Sequence, residues 1–377
     1  MKFQIYLFVL CILASCRGTK EKRILENNPL VINLSPTSLH SSVADAIQIT
    51  KVINLESTDN STISSDYNIK RIIINAGRLY IMDGKYMSIK VFDGTGKYLY
   101  SIGSLGVNPG QFTNLQNIAF YPPHHSLWAL CNTPQKITEF SLDGKILKES
   151  HIPFFASDLG FETKNKIYFF VNQNQSDASG DKNVLVTDSD LNIQQKFFNL
   201  PLKRKSGILF AGGIYTIGDE LYYNPPLTRT VYSLKNDSAK AIYKVDFANG
   251  NTPDDFGEDS LDFYLANRSL LTQNFIKKDN YVGFSYSTKG DHLLSFFNIK
   301  TEKLLTTDAK LNQLDRLFNN SVFESDGQLI MLCNPDKFMD ILKNNGGIIK
   351  QKYPILYEKL ILRKAHDNPT LIFFTLK

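Results

Sequence analysis

Ile89-Lys-Val-Phe-Asp-Gly-Thr-Gly-Lys-Tyr-Leu99 and Ile137-Thr-Glu-Phe-Ser-Leu-Asp-Gly-Lys-Ile-Leu147 are two copies of one cassette. Each opens on an apolar residue, places Phe fourth (Phe92, Phe140), Gly-Lys eighth and ninth (Gly96-Lys97, Gly144-Lys145) and Leu eleventh. The copies start 48 residues apart, a period that belongs to stacked supersecondary units. A shorter signature, an apolar-aromatic strand after a turn, extends the series. It recurs at Leu79-Tyr80-Ile81, Leu127-Trp128-Ala129, Ile167-Tyr168-Phe169, Leu221-Tyr222-Tyr223, Tyr281-Val282-Gly283 and Leu329-Ile330-Met331, with start-to-start spacings of 48, 40, 54, 60 and 48. Six such units of four short strands predict an all-β, six-bladed β-propeller of antiparallel four-stranded blades.

Within the first unit, Ile72 to Ile74 is expected as the inner strand, Leu79 to Met82 as the second, Ile89 to Phe92 as the third and Tyr98 to Ile102 as the outer one. Asp93-Gly94-Thr95-Gly96 then turns the hairpin between the last two. A ring must close, since an open sheet edge invites aggregation. Strands from both ends are expected to complete the last blade, with Val52 to Leu55 beside Leu371 to Leu376. Phe263, Leu265, Leu270 and Leu271 follow helical spacing, so about 254–278 is read as a helical insertion, and Pro335 to Lys343 as a second helix.

Composition excludes several classes. Hydrophobic residues make up 42% of the 377, ample for a core, which rules out disorder of the whole. The net charge of +5 comes from 42 basic and 37 acidic residues dispersed along the chain, so no nucleic-acid stripe emerges. The stretch from Ile5 to Ala14 is too short to span a bilayer and reads as an export signal. It ends Leu13-Ala14-Ser15-Cys16, which resembles the lipobox of bacterial lipoproteins and implies acylation of Cys16. Residues 1–15 are thus the expected signal peptide, 16–45 a lipidated flexible tether, and 46–377 the propeller, anchored in the cell envelope and most simply in the outer membrane. Cys131 and Cys333 lie in separate apolar runs and read as two buried thiols, with one disulfide in an oxidising periplasm as the alternative.

Leu79-Tyr-Ile-Met-Asp83, Ile89-Lys-Val-Phe-Asp93, Ile102-Gly103-Ser-Leu-Gly106-Val-Asn-Pro109-Gly110-Gln-Phe112 and the ending Asp367-Asn368-Pro369-Thr-Leu-Ile-Phe-Phe resemble the six-bladed propeller lipoproteins of Bacteroidetes, distant relatives of NHL-repeat propellers. The resemblance implies fold and address over residues 47 to 377. Hydrolytic propellers similar to these hold calcium or zinc in the central funnel.

Asp83, Asn132, Asn172 and Asn224 stand just past the first four second strands and Asn334 past the sixth, positions able to face the funnel as a candidate ligand-binding ring; Asp and Asn are also favoured where strands give way to turns. The connection carrying Gly103, Gly106, Pro109 and Gly110 is a candidate binding loop on the same face. The histidines show no metal or triad spacing, and no nucleophile elbow, P-loop or dinucleotide fingerprint is present. The expectation is a lipid-anchored, monomeric binding scaffold with no catalytic residue and no cofactor. It would bind a protein or glycan on its funnel face, accessory to outer-membrane nutrient uptake. The alternative is a metal-dependent hydrolase or lyase using calcium in the funnel, which needs six to eight converging oxygens.

Overall fold

The computed structural model describes residues 24–25, 28–34, 40–64, 69–162, 166–172, 174–200, 212–226, 228–247, 270–288 and 291–377. Six sheets follow one another along the chain. Blade 1 is Ile69–Asn75, Arg78–Asp83, Ser88–Asp93 and Tyr98–Ile102, in that antiparallel order and as the period predicts. Blade 2 runs Leu115–Tyr121, Ser126–Asn132, Gln135–Ser141 and Ile146–His151. Blades 3 and 4 begin at Asp158 and Gly213, and blade 5 begins with Leu270–Lys278. The first strands adjoin in cyclic order around a central axis, blade 6 meeting blade 1 again. The result is a six-bladed β-propeller.

Blade 6 combines the two ends. Val322–Ser325 pairs with Gln328–Cys333, which pairs with Thr370–Leu376, and that strand pairs antiparallel with Ile47–Asn54. The register sets Leu371 opposite Ile53 and Ile372 opposite Val52, so closure is made where the sequence places it.

Six buried clusters fill the six inter-blade spaces. Phe92 packs against Ile53, Leu371 and Phe373 of blade 6, and Phe140 packs with Met82, Val91 and Phe112 beside blade 1. Each cassette phenylalanine therefore joins its blade to the preceding one, because alternate residues of a strand face opposite sides of its sheet. Cys131 and Cys333 are buried, free thiols in blades 2 and 6.

Three expectations change. Residues 270–278, assigned to a helical insertion, form the inner strand of blade 5, while 254–269 lie outside the described residues. An irregularity in register between Leu271 and Phe275 breaks the two-residue alternation there. Apolar residues at 271, 275 and 276 therefore imitate a helical period.

The helix expected over Pro335 to Lys343 runs to Lys352, and Pro354–Leu360 follows it, both inserted between the second and third strands of blade 6. Asn344-Asn345-Gly346-Gly347 reads as a stop, yet Phe338 and Ile349 are buried in the cluster between blades 5 and 6, and that packing carries the helix across it.

The expected tether is also part of the fold. Ile24–Leu25 and Leu30–Asn33 add in parallel to Ser238–Asp246, the outer strand of blade 4. His40–Ser42 adds in parallel to Leu304–Thr306 of blade 5, and a short helix, Val43–Ala46, leads into blade 6. The N-terminal segment is a strap across three blade edges.

Candidate functional site

The five Asp/Asn positions do fall at one end of the blades. Asp83, Asn132 and Asn224 are the last residues of second strands, Asn172 lies two residues beyond one, and Asn334 precedes Pro335–Lys352. The side chains of Asp83, Asn132 and Asn224 are engaged within the protein. Asp83 is fully buried and accepts from Ser64 N and Oγ at 2.6 and 2.7 Å and from Lys85 N and Tyr86 N at 2.9 and 3.2 Å. That pattern ties the loop before blade 1 to a turn. Asn132 accepts from Ala156 N, fixing the crossover into blade 3, and Asn224 donates to Thr230 O within its own blade. Asn172 adopts the left-handed conformation at φ +50°, where asparagine is favoured.

The Gly103–Phe112 loop is held by its own backbone: Phe112 N donates to Ser104 O, Gly106 N to Phe112 O and Gln111 N to Asn108 O. Phe112 anchors it on Phe140, with ring centroids 6.0 Å apart, and Gly110 N donates to Glu149 of blade 2. A Cβ at Gly110 would fall 2.7 Å from the Ile146 side chain, so the glycine also lets the loop lie on blade 2. Leu105 and Val107 project from it, 66% and 75% exposed.

The inner strands bring together a group that spacing did not reveal. Asp158, first residue of blade 3, accepts from Asn117 of blade 2, from its own neighbour Leu159 N at 2.8 Å and from Ile214 N of blade 4 at 3.1 Å. Arg71 of blade 1 stands 3.7 Å from the same carboxylate. Burial pushes the Asp158 carboxyl up to about 6 against the opposing pull of the Arg71 guanidinium. Both carboxylate oxygens accept bonds, so the group braces four blades across the mouth of the ring.

A second group is arranged differently. Trp128, Glu139 and Lys148 occupy one row across the second, third and outer strands of blade 2, facing blade 3. Glu139 is 5% exposed. Ser126 Oγ at 2.6 Å and His124 Nδ1 at 2.8 Å both meet its Oε1, while Oε2 accepts no hydrogen bond among the described residues. The carboxylate lines a cavity of about 310 Å³ closed by Tyr121, Trp128 and Ile137 on one side and by Ser189, Asp190 and Leu191 of blade 3 on the other. Burial, and behind it the Glu139 charge, pushes the Tyr121 phenol up. The cavity lies at the first-to-second and third-to-outer hairpins, on the face opposite the funnel.

Neither group follows from motif spacing in the sequence. His124 reads as a solvated loop residue, and indeed its ring is largely exposed, but one nitrogen is committed to Glu139. Period-two spacing alone would have put Ile137 and Glu139 on one face; a carboxylate on that apolar face was the available signal. Among the described residues no cluster of three or more His, Cys, Asp or Glu side chains is placed to hold a metal ion.

Residues 30–375 match the family described as Domain of unknown function (DUF4934). The chain belongs to the DUF4934 family. No curated protein matches it in sequence. This DUF4934 propeller is similar to a Bacteroides fragilis protein named as exported, with a TM-score of 0.77 at 18% identity, covering 92% of this chain and 99% of the other. It is also similar to a DUF4221 member from Bacteroides vulgatus, with a TM-score of 0.56 at 9% identity over 89% of this chain and 99% of that one. A streptogramin B lyase superimposes at a TM-score of only 0.43 with 14% identity, covering 89% of this chain and 100% of that one, too distant to bear on chemistry. At these identities the likeness establishes the fold, and function has to be argued from the site.

Proposed function

We propose that this chain is an extracytoplasmic propeller anchored by lipid at Cys16, and that it acts as a binding scaffold for a neutral, hydroxyl-bearing ligand such as a saccharide unit. The observation that carries the ligand is the Glu139 carboxylate, 5% exposed, held through Oε1 by Ser126 and His124 on the wall of a cavity. A ligand hydroxyl donating to that carboxylate makes a charge-assisted hydrogen bond, worth about 1.5–3 kcal/mol. Glu139 and Asp190 disfavour an anion there, Lys148 disfavours a cation, and Ile137, Leu191 and the ring edges of Tyr121 and Trp128 offer an apolar wall to a sugar's C–H face.

The address is supported by Leu13-Ala14-Ser15-Cys16 and by the similarity to a protein named as exported. Among the described residues no helix is long and apolar enough to cross a membrane, so attachment through an acylated cysteine suits the chain. A place beside an outer-membrane nutrient-uptake system suits a saccharide ligand. The Asp83, Asn132, Asn172, Asn224 and Asn334 ring and the Gly103–Gly110 loop are then positions that hold the funnel face in shape, with Leu105 and Val107 available to a protein partner.

Calorimetry and saturation-transfer NMR with neutral mono- and oligosaccharides provide the test. Binding should weaken about tenfold or more in Glu139→Gln, the loss of one charge-assisted bond. Asn172→Ala and Asn224→Ala should leave it unchanged. Equal binding by wild type and Glu139→Gln sinks the cavity as the site. Stoichiometric calcium in the purified protein, lost in Asn172→Ala or Asn224→Ala, makes the metal-dependent reading the better one.

A further inference from the structure

Ile24–Leu25 and Leu30–Asn33 form the outermost edge of blade 4, and they present apolar side chains to solvent. Ile24, Leu25 and Leu30 are about two-fifths exposed and Val31 is 54% exposed, whereas Ile32 between them is fully buried against blade 5. Lysines lie in register beside them: Lys240 opposite Leu25 and Lys244 opposite Val31, both exposed. The acidic neighbour Asp246 is neutralised by Arg229 at 3.0 Å. Only eight residue steps separate Cys16 from Ile24, at most about 28 Å of fully extended chain. Those steps include Arg17, Lys20, Lys22 and Arg23 against Glu21.

From this juxtaposition we propose that the outer edge of blade 4 is the membrane-facing surface of the propeller, its apolar residues set into the headgroup region of an anionic bilayer and its lysines on the phosphates. The inference rests on the lipid anchor at Cys16. A propeller on a long tether would tumble freely; here the strap begins so soon after the anchor that the ring is held edge-on, with blade 4 toward the lipid. Apolar burial and basic residues near an anionic surface act in the same direction, each basic residue contributing about 1 kcal/mol.

Full-length acylated protein in vesicles of phosphatidylethanolamine and phosphatidylglycerol tests it. A fluorophore attached at Val31→Cys should be quenched by nitroxide-labelled lipid, one at Leu147→Cys on blade 2 should not, and Lys240→Glu with Lys244→Glu should reduce quenching at position 31. Palmitate incorporation measured on the same samples separates the two readings. Incorporation lost in Cys16→Ala, with no quenching at 31 in the wild type, overturns the orientation and leaves the anchor standing. Equal quenching at 31 and 147, or quenching untouched by the charge reversals, also overturns it. Absence of incorporation removes the anchor and the orientation together, and cross-linking of two copies through Val31→Cys assigns the edge to self-association instead.

Discussion

At φ +95°, Gly96 lies in the left-handed region, and a Cβ there would stand 2.3 Å from the carbonyl oxygen of Asn54 in the outer strand of blade 6. The turn cannot retreat, because Gly96 O accepts from Glu56 N at 2.8 Å. Gly180 shares the positive φ, at +61°, but a Cβ would meet nothing within 4 Å. Gly96→Ala should therefore cost at least about 2 kcal/mol and Gly180→Ala only about 1, as read from denaturant midpoints. Equal losses would remove the steric half of the argument.

Asp158 gives a second residue-scale expectation, with a sign opposite to that of most carboxylates. Its folded pKa of about 6 lies above the unfolded value, so ionisation weakens the fold, and stability from this group rises as pH falls from 7 toward 4. Between pH 7 and 5 the gain should be about 1 kcal/mol, and Asp158→Asn should lack it. Melting curves of both proteins at the two pH values decide this: parallel shifts would show that another group titrates.

At the scale of elements, the strap is where sequence and structure part most. Ile32 is fully buried among Val245, Phe247 and Tyr286, so Ile32→Ala should destabilise the propeller by about 2–4 kcal/mol in chemical denaturation. A free tether would show no change. Second strands were legible because each pairs a short apolar-aromatic run with a turn, and every one of the six signatures lies in a second strand. The strap was not, since Leu30 to Asn33 shows one buried residue in four, too short a run for either period to register. Its helix is similarly hidden: Val43–Ala46 depends on Asp315, 271 residues away, whose carboxylate accepts from Ala44 N at 2.8 Å and Ser42 Oγ at 2.9 Å. The candidate site divides the same way. The Asp/Asn positions could be read as a series because they occupy equivalent places in five of the six units. Glu139 could not be placed in a cavity, because one wall comes from a hairpin of the next blade some fifty residues on.

For the whole molecule, the ring turns six marginal sheets into one cooperative body. Every blade buries both faces against neighbours, and the six clusters have no exposed end only if blade 6 is complete. Thr370–Leu376 is the central link: it pairs with Gln328–Cys333 on one side and Ile47–Asn54 on the other, and it buries Leu371, Ile372, Phe373 and Phe374. Removing the last eight residues takes away that strand, unpairs the outer strand and exposes the faces of blades 5 and 1. Each large apolar side chain lost from burial forfeits about 1.5–3 kcal/mol, and four of them together approach the whole stability of a typical domain. The truncated chain should therefore lose its cooperative thermal transition and run as aggregate in size-exclusion chromatography. A monomer of unchanged melting temperature would mean that the N-terminal strap, lying across blades 4, 5 and 6, holds the ring shut without the closing strand. In that case Ile32→Ala added to the truncation should unfold it, since the strap would then carry closure alone.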